Sequence, residues 1–124
     1  MRRFTKRRIH WLLTLMLLSI MPVAAADVSG NWTFAVTLGQ LGSGNATVTL
    51  QQQPDGILTG TYTGQLANGP VSGTYTGDQF EFSFTSEALG SRITYRGHLR
   101  GDGSVDGIVL VQDEEFGTFT GKKS

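Results

Sequence analysis

GTYTG occupies Gly60–Gly64 and recurs at Gly73–Gly77, and the related GTFTG lies at Gly117–Gly121. Because side chains alternate between the two faces of a strand, the glycines and the aromatic ring of each copy share one face and the threonines share the other. Threonine is favoured in strands and tolerates water, so it suits an outer face. Glycine on an inner face permits sharp coiling and leaves space for a ring from a neighbouring strand. The repeat therefore predicts strongly curved strands with aromatic rings inside.

The same alternation continues on both sides of these motifs. It covers eight segments: 31–38, 45–52, 57–66, 70–77, 79–86, 92–100, 105–112 and 116–121. Turn signals separate them, among them Pro54-Asp55-Gly56 and Asn68-Gly69, which is a strong signal for a two-residue hairpin turn. Short links make neighbouring strands antiparallel, and closure removes the two exposed edges of such a meander. We expect an all-β fold, an eight-stranded antiparallel up-and-down barrel.

The first 26 residues have the pattern of a secretory signal peptide. A basic head with five Lys and Arg residues precedes a 13-residue apolar run, Trp11–Val23, and Ala24–Ala26 supplies the small residues of a cleavage site. The run is shorter than the about 20 residues of a membrane-spanning helix, although an uncleaved anchor is the alternative. We predict a signal peptide at 1–26, a single barrel domain at 27–124, and a periplasmic or secreted location without membrane association after cleavage.

The charge and composition of the chain argue against nucleic-acid binding, catalysis and metal binding. The five basic and ten acidic residues after residue 26 give a formal charge of −5, which argues against nucleic acid as a partner. The chain has no cysteine, and His98 is the sole histidine after residue 26. A Ser-His-Asp triad needs a buried carboxylate partner for its histidine, and an ordinary zinc site needs several histidine or cysteine ligands. A single histidine on an outward face provides neither. We predict no enzymatic activity, no catalytic residue, no metal and no cofactor.

The sequence contains one alternative to the prediction of no metal, which is a partial calcium-loop pattern. Asp102, Ser104 and Asp106 follow its spacing, with Asp113 at the twelfth place. The loop usually carries a glutamate there and is flanked by helices, whereas a hairpin turn accounts for the same residues.

Two short stretches, SGNWTF at 29–34 and LTGTYTG at 58–64, resemble the calycins, the group of avidins and lipocalins whose first strand opens with Gly-x-Trp. The resemblance implies an exported bacterial barrel with Trp32 as a plug at one end. DVSGNW at 27–32 is also similar to the start of small periplasmic metalloprotease inhibitors. Avidin-like biotin sites need several tryptophans and the inhibitors have a cysteine pair, so neither activity transfers to this chain.

An eight-stranded barrel either fills its interior with side chains or holds one small ligand. Aromatic residues predicted to face inward are the candidate ligand-binding residues: Trp32, Tyr62, Tyr75, Phe82 and Tyr95. The first hypothesis is a non-catalytic exported barrel that binds a small hydrophobic ligand. The alternative is a structural or protein-interaction module with a filled barrel, including an inhibitor that uses Asp27–Gly30 as an arm.

The seventh segment differs from the others, because it is apolar on both faces. Val105, Val109 and Val111 face one way, whereas Ile108 and Leu110 face the other. The two interpretations are a homodimer contact through Ile108 and Leu110, or a bulge that shifts the register.

Overall fold

The computed structural model describes residues 27–124; the signal peptide predicted for residues 1–26 lies outside them. Eight antiparallel strands follow one another around a closed barrel, and β1 pairs with β8 to complete the ring. The strands are β1 (Gly30–Thr37), β2 (Ser43–Gln52), β3 (Ile57–Thr63), β4 (Asn68–Thr76), β5 (Gln79–Ser86), β6 (Ser91–Leu99), β7 (Val105–Val111) and β8 (Glu114–Lys123). The predicted all-β up-and-down barrel is confirmed. Its helical segments within 27–124 are two three-residue 3-10 turns, and none of the helices there could span a bilayer.

Alternation places one continuous apolar cluster inside the barrel. Its members come from every strand and include Trp32, Phe34, Phe82, Tyr95 and Phe119, each 2% exposed or less. The threonines of the GTYTG and GTFTG motifs face outward, and Thr61, Thr63 and Thr74 are exposed. Water therefore wets the hydroxyl face of each strand, while burial of the rings drives closure.

Trp32 closes the end of the barrel at which the described chain begins. Its side chain is fully buried, and its indole N–H donates a hydrogen bond to the backbone oxygen of Val28 at 2.8 Å. Val28 is itself buried, and its N–H donates to the Oε1 of Gln52 at 2.9 Å. We call this the plugged end.

At several inner glycines, atoms of a neighbouring strand lie so close that a side chain could not fit. A Cβ on Gly73 would lie 2.6 Å from the Cα of Phe82, and one on Gly60 would lie 3.2 Å from the Cα of Leu50. At Gly121 the space is taken by a ring, since a Cβ there would lie 2.6 Å from the Cδ1 of Phe34. The expected space for a ring is thus present at Gly121, and at Gly60 and Gly73 the structure adds a close approach of the neighbouring strand.

The expectation of a hairpin turn at Asn68-Gly69 is wrong. Both residues belong to β4, neither has the positive φ that the turn requires, and the chain reverses at 64–67, where the Gly64 N–H donates to the oxygen of Ala67 at 3.0 Å. The reason lies in the register. The observed β3–β4 pairs facing inward are Leu58–Gly73, Gly60–Val71 and Tyr62–Gly69, so each sets a glycine against a larger side chain. A turn at Asn68-Gly69 would instead set Tyr62 opposite Tyr75 and glycine opposite glycine.

A bulge does shift the register beside the seventh strand, but its extra residue lies in the neighbouring strand β8, and β7 stays in continuous register with β6. Val109 pairs with Gly117 of β8 and Leu110 with Glu115, so Phe116 is the extra residue. Leu110 faces outward yet is only 7% exposed within a single chain. Little of Leu110 is therefore available for a second copy.

We expect Gly73→Ala to lower the free energy of unfolding by about 1–3 kcal/mol, because the new methyl group overlaps the β5 backbone. Gly69 is a matched control in the same strand: a Cβ there meets nothing within 4 Å, so Gly69→Ala should change the free energy by less than about 0.5 kcal/mol. Urea unfolding followed by circular dichroism measures both. Equal stability of the two variants would contradict the close-approach role of Gly73.

Candidate functional site at the barrel mouth

The links that follow β1, β3 and β5 meet at the end opposite Trp32, which we call the mouth. They surround a cavity of about 330 Å³. Its lining is mainly apolar in the walls and polar at the rim, and comprises Val36, Leu38, Leu41, Gly42, Ser43, Gly44, Asn45, Tyr62, Gln65, Leu66, Ala88 and Leu89. Ligand pockets in proteins usually measure about 300–1,000 Å³ and are mostly apolar with a few polar groups. The mouth cavity is at the small end of that range.

Ser86 holds two of the mouth links in place. Its side chain is fully buried, its hydroxyl donates to the backbone oxygen of Leu66 at 2.7 Å, and it accepts from the N–H of Leu89 at 3.1 Å. One side chain thus joins the β3–β4 link to the β5–β6 link. Both of its partners line the cavity, so this part of the wall has a defined geometry.

A pair of buried tyrosines lies beneath the mouth. The hydroxyl oxygens of Tyr62 and Tyr95 are 2.8 Å apart, and the two side chains are 2% and 0% exposed. Burial raises the pKa of Tyr95, and the neighbouring Tyr62 raises it further. Burial also raises the pKa of Tyr62, which its hydrogen bond to Tyr95 partly offsets. Both hydroxyls are therefore neutral, and they act as hydrogen-bonding groups.

Aromatic rings fill the barrel below this pair. The ring of Tyr95 lies 5.1 Å from that of Phe82 and 5.0 Å from that of Phe119, and Phe34 stacks on Phe119 at 4.9 Å. Such offset and tilted contacts stabilise a packed aromatic core. The centre of the barrel is thus occupied by side chains, and the space for a ligand is at the mouth.

The five candidate residues fall into separate places. Tyr62 lines the mouth cavity, whereas Phe82 and Tyr95 belong to the aromatic packing and Trp32 to the plugged end. Tyr75 is partly buried, and its hydroxyl donates to the backbone oxygen of Gln53 at 2.7 Å, in the link between β2 and β3. The structure brings Tyr62, Phe82 and Tyr95 together but separates them from Trp32 and Tyr75.

Two apolar residues of the mouth links, Leu41 and Leu89, lie outside the predicted strands, whereas Leu66 was predicted at the inner face of the third strand and lies instead in the link after β3. Leu41, Leu66 and Leu89 lie in the links that follow β1, β3 and β5, and Leu41 is 58% exposed. In an up-and-down barrel, alternate links share one end. An apolar residue in three alternate links is the signal that could have indicated this cavity, since turn positions are usually polar.

A second concavity lies on the outer wall, across β4 to β7. It has a volume of about 620 Å³, and exposed polar side chains surround Ile108 there. Arg96 forms an ion pair with Glu81 at 2.8 Å, and the Nδ1 of His98 lies 3.3 Å from a carboxylate oxygen of Asp106. These groups already partner one another in solvent, where such pairs contribute little energy. The outer groove is larger but is bordered by charged side chains in solvent, so the mouth, whose lining is mainly apolar, is the better candidate for binding a small hydrophobic molecule.

The calcium-loop alternative finds no support in this arrangement. Asp102 lies before β7 and Asp113 after it, so the strand separates them, and Asp102 accepts hydrogen bonds from both the N–H and the hydroxyl of Ser104. Within residues 27–124, no group of three or more histidine, cysteine or acidic side chains is arranged to hold a metal ion.

The inhibitor-arm alternative meets a similar obstacle. Val28, in the middle of the proposed Asp27–Gly30 arm, is 2% exposed and hydrogen-bonded to Gln52. The Ser29 hydroxyl accepts from the N–H of Gln52 at 2.8 Å. The segment lies on the barrel and seals it at the plugged end.

Comparisons with known proteins return little. No family model matches the chain, and no curated protein matches it. Among solved structures, the chain is similar to a mutant of the fluorescent protein UnaG in its crystal structure, with a TM-score of 0.49 and 12% sequence identity over 78% of this chain and 96% of that chain. A likeness at that level carries no argument about the site, and the fold rests on the strand pairing described above.

We expect the tyrosine pair to make stability fall at alkaline pH. Below the pKa of an unfolded tyrosine, about 10, both states are protonated and the pair causes no pH dependence. Above it, the unfolded chain loses these protons while the folded barrel retains them because its pKa values are raised, so the free energy of unfolding falls with rising pH. Urea unfolding across this range measures the slope, and the double variant Tyr62→Phe/Tyr95→Phe should lessen it. An unchanged slope in that variant would contradict the assignment.

Proposed function

We propose that the chain is a non-catalytic exported barrel that binds one small hydrophobic molecule at its mouth. The observation that carries the proposal is the apolar cavity of about 330 Å³ above a filled barrel centre. A ligand in this cavity covers apolar walls, and burial of apolar surface is worth about 25 cal/mol per Å². Because the cavity is small, the ligand is compact.

The exposed apolar residues near the mouth favour the same conclusion. Leu41 and Phe116 are 58% and 44% exposed, and a Cβ on Gly39 would lie 3.6 Å from the backbone oxygen of Phe116, so the two residues belong to neighbouring segments. Isolated exposed apolar residues are common on protein surfaces, whereas clusters of them accompany binding sites. Leu41 also lines the cavity, and it can cover a bound molecule.

The second candidate is a structural or protein-interaction module. The aromatic packing favours it, because Phe34, Phe82 and Tyr95 leave the barrel centre filled without any ligand. The two candidates differ at the mouth alone: the first requires that the cavity take up a small molecule, and the second does not.

The location is part of the proposal. We propose that residues 1–26 direct export and that the barrel acts in the periplasm or outside the cell, with no membrane association after cleavage. The basic head, the short apolar run and Ala24–Ala26 support it. The first residue of the barrel that is buried, Val28, follows this segment closely, so cleavage after Ala26 leaves the described domain whole.

Ala88→Trp should abolish binding at the mouth. Ala88 is exposed, lies in the β5–β6 link and lines the cavity, so an indole there occupies the space without disturbing the core. A thermal-shift screen with compact aromatic molecules should give hits with the wild type, since a ligand that binds only the folded state raises the melting temperature. The same hits should give no shift with Ala88→Trp.

The control is Ala35→Trp, in which the same substitution is made on an exposed, outward position of β1 away from the cavity. This variant should keep the wild-type shifts. A screen without any hit on the wild type, or hits that persist in Ala88→Trp, would count against the mouth as a binding site and favour the second candidate.

We expect the exported protein to begin at Asp27. N-terminal sequencing of the protein recovered from a periplasmic or culture fraction tests this. Recovery of the full-length chain in the membrane fraction would contradict the export proposal and support the uncleaved anchor.

A further inference from the structure

The tyrosine pair holds one more hydroxyl proton than its own hydrogen bond uses. Two neutral hydroxyls carry two protons, and the 2.8 Å contact between Tyr62 and Tyr95 consumes one. Within residues 27–124, no other hydrogen bond involves either hydroxyl. A buried donor without a partner costs about 1–3 kcal/mol, so such a group in a folded protein calls for an acceptor.

The surroundings of the two tyrosines decide which of them keeps the free proton. Tyr95 is packed among aromatic rings, with those of Phe34, Phe82 and Phe119 within 6 Å of its own ring. Aromatic rings are at most weak hydrogen-bond acceptors for an O–H group. Tyr62 also packs against a ring, that of Phe84 at 4.4 Å, but it is the member of the pair that lines the mouth cavity. The favourable arrangement has Tyr95 donating to Tyr62, and Tyr62 presenting its proton to whatever fills the cavity.

Charge restricts the acceptor. No lysine, arginine or histidine is among the described residues that line the mouth cavity. An anion there would lose its hydration without gaining a cationic partner, which is strongly unfavourable. A neutral oxygen loses much less hydration and gains a hydrogen bond from Tyr62.

We infer that the ligand of the mouth is a compact, neutral, mainly apolar molecule with one hydrogen-bond acceptor, such as a ketone carbonyl, which accepts from the Tyr62 hydroxyl. This inference rests on the proposed function and adds the class of ligand. Tyr95 acts as a positioning residue, because its donation to Tyr62 directs the Tyr62 proton away from the aromatic core. The apolar walls formed by Val36, Leu38 and Leu66 take the rest of the molecule.

Three probes of nearly the same shape test the inference: acetophenone, α-methylstyrene and benzoate. The first two differ in a carbonyl oxygen against a methylene group, and benzoate adds a negative charge. Titration followed by protein NMR gives each affinity at neutral pH. Acetophenone should bind the wild type about tenfold more tightly than α-methylstyrene, as one hydrogen bond to an otherwise unpaired buried donor implies. Benzoate should bind more weakly than either.

The variants separate the hydroxyl from the tyrosine ring. Tyr62→Phe removes the donor and should reduce the preference for acetophenone to near unity while α-methylstyrene still binds. Tyr75→Phe is the matched control, since the Tyr75 hydroxyl donates to Gln53 and does not line the mouth cavity. It should keep the tenfold preference.

The outcomes distinguish this inference from the proposed function. Equal affinity of acetophenone and α-methylstyrene for the wild type would overturn the hydroxyl inference and leave apolar binding at the mouth intact. A preference that survives in Tyr62→Phe, or benzoate as the tightest probe, would overturn it as well. Absence of binding by all three probes would overturn both proposals. The comparison on the wild type requires no variant, so it decides the question even if Tyr62→Phe does not fold.

Discussion

The close approach of neighbouring strands at inner glycines is the constraint on which the barrel depends. Where β3 and β4 pair, Gly60 lies opposite Val71 and Gly73 opposite Leu58, so every inward pair combines a residue without a side chain and a larger one. The glycines leave interior volume for the large residues that lie opposite each other elsewhere, such as Phe82 and Tyr95 across β5 and β6. The glycines therefore allow eight short strands to curve into a closed ring around the aromatic core, and GTYTG is the sequence form of this requirement.

Close packing of the barrel determines where a small molecule can bind. The rings of Phe34, Phe82, Tyr95 and Phe119 occupy the centre, and Trp32 with Val28 seals the plugged end. What remains is the space among the links of the mouth, which Ser86 holds together. The resulting site is mainly apolar, and Tyr62 of the tyrosine pair lines it together with the polar residues Ser43, Asn45 and Gln65. The ligand that we propose for this site is accordingly small and neutral, because the described lining residues include no cationic partner for an anion.

The outside of the barrel follows different rules. The cross-strand pair Glu81–Arg96 lies in solvent, where it contributes little energy but favours the correct strand register, and Arg100, just after β6, forms a similar ion pair with Asp106 of β7. The bulge at Phe116 changes the register of β8 against β7, and Leu110 is buried on the outer face beside the buried Thr94. The outward Leu110 is thus covered within one chain, although β7 itself keeps a continuous register with β6.

Alternation along each strand, a local property, was enough to predict the eight strands, their inner faces, the closed meander and the burial of Trp32, Phe82 and Tyr95. Alternation could not predict the properties that depend on which residues of neighbouring strands lie opposite each other. Asn68-Gly69 has the local form of a turn, yet the β3–β4 register, in which Tyr62 lies opposite Gly69, places the reversal at 64–67 instead. The mouth cavity joins links separated by more than 20 residues, and the tyrosine pair joins side chains 33 residues apart. The sequence by itself determined which face of each strand is apolar, whereas only the tertiary structure decided the register, the filled centre and the site, because these follow from fitting side-chain volumes together in a closed space.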